Sequence, residues 1–187
     1  MARGKERHPV TIFTIGHSIH PIEEFIEILT AHGVTLLADV RSVPRSRHNP
    51  QFNQEGLPAA LAAAGVDYLH LKGLGGLRHT TASSPNTGWR NASFQGYADY
   101  MLTEEFAAEL ARLVALARGD QVAVMCAESV PWRCHRSLIA DALTVRGVAV
   151  EHITSRTHRQ PHRLTPFARV EGTRITYPEG TGLLIEP

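Results

Sequence analysis

The sequence predicts an α/β fold. The expected form is three-layered: a five-stranded, mostly parallel wound sheet with helices on both faces, plus a small C-terminal hairpin. Two observations carry this. Apolar, β-branched runs of strand length alternate with amphipathic stretches of helical period, and that alternation calls for parallel βαβ units. In addition, over residues 33–40, 65–70, 119–126 and 147–153 a Gly closes a helical stretch and leads straight into such a run. Gly tolerates the left-handed conformation that ends a helix, so each junction reads as a C-cap feeding a strand.

The elements follow in order. Residues 10–15 form a first strand ahead of the four Gly-led ones. A helix over 21–32 opens with Pro21 and turns Phe25, Ile28 and Leu29 to one face. A short Ala-rich helix covers 55–64. A longer one over 97–117 carries Tyr97, Met101, Phe106, Leu110, Leu113 and Val114, with an interruption near Thr103. A fourth over 133–146 points Leu138, Ile139, Ala142 and Leu143 inward. Residues 73–93 are rich in Gly, Ser, Thr and Asn and lack apolar period; loops this long are functional or disordered. After Thr154 an irregular tail ends in a hairpin over 167–177. The chain reads as one domain over 10–187, with a flexible N-terminus over 1–9.

Composition narrows the classes. The 187 residues carry 43% hydrophobic and 20% charged side chains, ordinary for a globular domain. A net charge of +1 gives no global pull toward nucleic acid or membrane, so any basic surface is local. No apolar run is long enough to span a bilayer. The N-terminal stretch has no apolar core of the secretory type, and two Cys are too few for a disulfide framework. The expected location is the cytoplasm, with both thiols reduced.

Ligands of open α/β sheets bind beyond the carboxyl ends of the strands, so the residues just after each strand are the candidates. His17 follows the first strand; it is a candidate base or phosphate donor. The second ends in Asp39-Val40-Arg41, with Arg45 and Arg47 further along the loop. Guanidinium forks suit phosphate or carboxylate, and Asp39 pairs with Arg41 or orients another side chain. Gly75-Gly76 after the third permits close backbone approach to a ligand. The fourth ends in Cys126-Ala127-Glu128, and a loop then brings Cys134-His135-Arg136-Ser137 to the start of a helix. Unpaired N–H groups there bind anions and favour thiolate. Cys134 or Cys126 is the candidate nucleophile, with Glu128, His135 or His17 as acid/base. Arg41, Arg45, Arg136 and Ser137 are the candidate anion ligands, beside Asp39, Gly75 and Gly76. Phe94, Tyr97 and Tyr100 suit either base stacking or the core, and helical spacing favours the core. Cys126, Cys134, His135, His158 and His162 also suit a soft metal such as zinc; otherwise no cofactor is expected.

Taken together, Thr14-Ile15-Gly16-His17-Ser18, Asp39-Val40-Arg41 with Pro44-Arg45-Ser46, Leu74-Gly75-Gly76, and Cys126-Ala127-Glu128 with Cys134-His135-Arg136 resemble the family called domain of unknown function 488, from about residue 12 to 177. The resemblance implies an α/β domain of bacteria and archaea without an established reaction. A lesser similarity is to sulfurtransferases of the rhodanese type, where a strand-end Cys sits in an anion-cradling loop before a helix; here seven residues separate the two Cys.

The leading functional expectation is an enzyme on an anionic, phosphate-bearing substrate such as a nucleotide or nucleic-acid end, with the loop over 73–93 closing over it. A non-catalytic nucleic-acid or nucleotide-binding module is the first alternative, using the Arg loop and the tail (Arg156, His158, Arg159, His162, Arg163). A Cys126/Cys134 redox sensor is the second. No membrane partner is expected, and the oligomeric state is left open.

Overall fold

The computed structural model of the chain describes residues 10–180. The expected flexible N-terminus over 1–9 and the domain's final residues 181–187 lie outside the described residues. The five expected strands are β1 (Thr11–Gly16), β2 (Leu36–Asp39), β3 (Asp67–His70), β4 (Val122–Cys126) and β5 (Ala149–Ile153). They are parallel and lie in the order β3-β2-β4-β1-β5. A sixth strand, β6 (Arg159–Pro161), pairs antiparallel with β5. Its Arg-Gln-Pro sequence has no apolar alternation to betray it, and a Pro is tolerated at a sheet edge. The hairpin forms from β7 (Arg169–Glu171) and β8 (Arg174–Thr176).

The helices are α1 (Ile22–Ala31), α2 (Leu57–Ala62), α3 (Ala92–Tyr100), α4 (Glu104–Leu116) and α5 (Arg136–Thr144). Gly33, Gly65 and Gly147 have φ between 68° and 76°, and Val34, Val66 and Val148 each return an N–H to the carbonyl five residues back. These are the expected helix closures. Gly119 lacks a positive φ, so the chain leaves α4 without one. The expected helix over 97–117 is two helices, broken where the Thr103 hydroxyl caps α4 by accepting the Phe106 N–H at 3.2 Å. Its first half starts early because Asn91 caps α3 at Ser93 N–H, 2.8 Å. α5 starts late because Pro131 opens a separate 3-10 turn.

Side-chain alternation along the strands divides the core. Ile12, Leu36, Ala38, Val122 and Val124 face α3, α4 and α5. Phe13, Ile15, Leu37, Ala123 and Met125 face α1 and α2. Parallel strands covered on both faces read as continuous apolar runs, and β4 is buried throughout. The topology also locates a crevice. From β1 the chain crosses over through α1 on one face. From the adjacent β4 it crosses through α5 on the other face and in the opposite direction. The carboxyl ends of β1 and β4, Gly16 and Cys126, therefore flank a topological switch point.

At the β5 side a buried polar chain ties the tail to the sheet. Asp141 on α5 accepts from His162 Nε2 at 2.8 Å and from the Tyr177 hydroxyl at 2.8 Å. His162 Nδ1 accepts from His152 Nε2 at 2.9 Å, and the Thr14 hydroxyl donates to His152 Nδ1 at 2.7 Å. His162 is thus committed inside the fold and does not approach Cys126 or Cys134 as a metal ligand. Burial first, then the neighbouring His162, lowers His152 to about 4. The folded value lies below the unfolded one, so His152's contribution to stability is complete above about pH 6.5 and is lost as pH falls toward 4. We expect a loss of roughly 3 kcal/mol across that window, read as a lower urea midpoint. His152→Gln should flatten the slope; an unchanged slope would place the acid sensitivity elsewhere.

Candidate active site

The switch-point crevice is a cavity of about 480 Å³. Cys126, Cys134 and His135 lie on its wall with His17, Arg41, Arg45, Glu128 and Gly76. The β4 end supplies Cys126, and the turn before α5 supplies Cys134 and His135. Both cysteines are buried, at 7% and 3% exposure, and both are free.

The two Sγ atoms are 2.8 Å apart, with the Cys134 thiol donating to Cys126. His135 Nε2 bonds the Val40 carbonyl at 3.1 Å. A carbonyl only accepts, so Nε2 carries a proton, and Nδ1 is left to face Cys134 Sγ at 3.6 Å. The hydrogen bond from Cys134 holds the Cys126 thiol far below its ordinary range, helped by His135 and the Glu128 backbone against the effect of burial. The same bond and burial push Cys134 up. The arrangement thus favours the thiolate on Cys126 and the thiol on Cys134.

Two backbone approaches build this wall. A Cβ on Gly16 would lie 1.8 Å from the Glu128 carbonyl oxygen, so only Gly lets the loop after β4 cross the end of β1. A Cβ on Gly76 would lie 2.6 Å from His135 Nδ1. Beside Gly16, Ser18 takes a left-handed φ of 47°, a strained setting for a residue with a side chain.

The guanidiniums divide into two groups. Arg41 is tied down: it donates through Nε and Nη2 to Asp39 at 2.6–3.1 Å and through Nη2 to the Phe52 carbonyl at 2.8 Å. Its Nη1 reaches His17 Nε2 at 3.4 Å. Arg41 faces the cavity, with its charge balanced by Asp39. Arg136 is 1% exposed and turns away from the cavity. Its Nη2 donates to the Glu128 carbonyl at 2.6 Å, and Nε has no partner. It therefore anchors the loop from behind and adds positive potential near Cys134. Its backbone N–H points at Cys134 Sγ, 3.5 Å away. Arg45 and Arg133 line the cavity from exposed positions; Arg45 also pairs with Glu55 at 2.6 Å.

The remaining candidates separate likewise. His17 lines the cavity but is buried and stacked on Phe52, with Nδ1 donating to the Ser18 carbonyl. Burial lowers its pKa. Glu128 is exposed at the cavity. Ser137 donates to the Cys134 carbonyl at 3.0 Å and lines a different cavity. Asp39 lies beneath Arg41, and Gly75 packs under Ser42. In the long loop, Gly76, Leu77, Asn91 and Ser93 line the cavity. Thr81, Ser84 and Asn86 bond Asp99 of α3 at 2.5–3.1 Å, which fastens the rest of the loop down. Of the aromatic trio, Tyr97 is core and Phe94 faces the cavity. Arg133 is the lining cation that strand-end reading passed over; its neighbours Trp132 and Cys134 were the available signal.

Among the described residues, Cys126, Cys134 and His135 are the one His, Cys or carboxylate group close enough to hold a metal. Zn–S bonds of about 2.3 Å at tetrahedral angles require sulfurs about 3.8 Å apart. The two sulfurs lie closer together than that, at 2.8 Å. A larger cavity of about 700 Å³, beyond Trp132, holds no thiol, and its His152 and His162 belong to the Asp141 chain. The tail cations Arg156 and Arg159 are paired with Glu27 and Glu151.

Fold and site together define a wound α/β domain with a buried dithiol at its switch point. The chain belongs to the family described as domain of unknown function DUF488, whose pattern it matches over residues 21–143. That span runs from α1 to α5 and takes in Asp39, Arg41, Cys126 and Cys134; β1 with His17, and everything after α5, fall outside it. No curated protein and no solved structure matches the chain, so the rhodanese likeness gains no support. Among the described residues no helix is long and apolar enough to cross a membrane.

Proposed function

We propose that the protein is an enzyme acting on an anionic, phosphate-bearing substrate, with the Cys126 thiolate as nucleophile. One observation carries the reading: a thiol pair, an imidazole and two exposed guanidiniums share one concave wall at the switch point. In this reading Arg45 and Arg133 hold the anion, and neutralised Arg41 shapes the floor. His135 takes the Cys126 proton at Nδ1 and delivers it to the leaving group. Glu128 stands at the mouth as a second proton carrier.

The test uses inorganic phosphate and iodoacetamide. Phosphate should slow alkylation of Cys126 several-fold in the native protein. Arg45→Ala with Arg133→Ala should remove that protection while leaving alkylation without phosphate within about twofold, since neither guanidinium touches the sulfur. Protection that survives in the double variant would move the anion site elsewhere. Alkylation indifferent to phosphate at every concentration would remove the anionic substrate from the proposal.

A further inference from the structure

We infer that Cys134 is a resolving thiol, so that turnover couples reduction of an anionic disulfide substrate to formation of a Cys126–Cys134 disulfide. The inference rests on the nucleophilic role of Cys126 proposed above and names the class of bond that it attacks.

The geometry is specific to this pairing. A nucleophile that only transfers a group to an outside acceptor is poorly served by a second thiol in contact with it, because that thiol reaches the covalent intermediate first. Here the second sulfur is 2.8 Å from the first, buried beside it and outside bulk solvent. It also has a proton acceptor within reach and its own thiolate-stabilising groups. His135 Nδ1 lies 3.6 Å from Cys134 Sγ. The Arg136 N–H at the first turn of α5 points at the same sulfur from 3.5 Å. Behind it, the Arg136 guanidinium is buried, and its hydrogen bonds go to neutral carbonyls. While Cys126 is a thiolate it claims the Cys134 proton. Once Cys126 has formed a bond, that claim disappears, and the arginine and the helix N-terminus act on Cys134 alone.

The steps balance. The Cys126 thiolate attacks one sulfur of an anionic disulfide, X–S–S–Y. The S–S bond breaks, and Y–S⁻ leaves with the proton held on His135 Nδ1. Cys134 then gives its proton to the vacated Nδ1, and its sulfur attacks Cys126 Sγ. The Cys126–S–X bond breaks, and X–S⁻ departs with that proton. The substrate gains two electrons and leaves as two thiols; the enzyme loses two and holds a disulfide. A small external thiol or dithiol must reduce that disulfide to complete the cycle.

The probe is dithiobis-nitrobenzoate, an anionic aromatic disulfide, added to the reduced full chain. Native protein is expected to release about two equivalents of thionitrobenzoate at the buried pair and retain no adduct. Its intact mass should fall by two hydrogens, and a peptide map should join Cys126 to Cys134. Cys134→Ser should release about one equivalent and keep the adduct on Cys126. Native protein that retains a stable adduct on Cys126, with Cys134 still free, overturns the resolving role and leaves the nucleophile standing. If Cys126 stays unmodified in Cys134→Ser, and iodoacetamide also fails to reach it in native protein, the proposed function falls with it. Circular dichroism of each variant separates a lost fold from lost chemistry.

Discussion

Cys134→Ala should return the pKa of Cys126 most of the way to the ordinary thiol range and cut its alkylation by iodoacetamide near pH 5 by about a hundredfold or more. The largest influence holding Cys126 low is the hydrogen bond from the Cys134 thiol. Removing it leaves burial, which acts in the opposite direction, opposed by His135 and the Glu128 backbone. Below its pKa a thiol loses tenfold in thiolate per pH unit. The native rate should therefore be nearly flat from about pH 5 to 8, while the variant's rate climbs through that range. Well above both pKa values the order should reverse, because nucleophilicity rises with pKa. Cys134→Ser, which keeps a donor, should fall between the two. A Cys134→Ala profile that overlays the native one would show that the thiol pair does not set the reactivity of Cys126.

The placement of this pair was legible in part, for reasons that particular residues make plain. Gly33, Gly65 and Gly147 announce helix ends because each takes a conformation that other side chains resist, and a strand follows each. β4 is apolar at every position because both its faces are covered, which marks it as central and its last residue as a ligand-edge residue. The sequence alone thus assigns Cys126, Cys134, His135, Arg41 and Arg45 to one edge, where all five line the cavity. Direction was not legible. Arg136 follows His135 in sequence, yet its guanidinium turns inward to the Glu128 carbonyl, while exposed Arg133 reaches the cavity. Which way a side chain leaves a helix start depends on the loop it meets, and that loop crosses Gly16 at a contact no periodicity records. His162 was misleading for a related reason: β6 carries it under α5, to Asp141. Nothing in Arg159-Gln160-Pro161 announces a strand.

Asp39→Ala should destabilise the protein by about 3–5 kcal/mol, the usual effect of stranding a buried charge. Asp39 is fully buried and accepts the Arg41 backbone N–H at 3.0 Å, the Arg41 side chain at 2.6–3.1 Å and the Tyr68 hydroxyl at 2.8 Å. Without it the Arg41 guanidinium, 6% exposed, keeps only a carbonyl and an imidazole as partners. The melting temperature should fall by roughly 10 °C for a chain of this size. Asp39→Ala with Arg41→Met should recover most of the loss, because a buried ion pair replaced on both sides by apolar groups is often near neutral. The thiol pair should register the change as well. Val40 lies between the two partners, and its carbonyl holds the His135 Nε2 proton that leaves Nδ1 facing the sulfurs. In the folded single variant, loosening that strand end should shift the pH profile of Cys126 alkylation toward ordinary thiol values, through His135 and without any contact to sulfur. A variant that loses stability but keeps the native profile would confine Asp39 to the fold. A shifted profile would make the Asp39–Arg41 pair a positioning device for His135, joining the stability of β2 to the chemistry of β4.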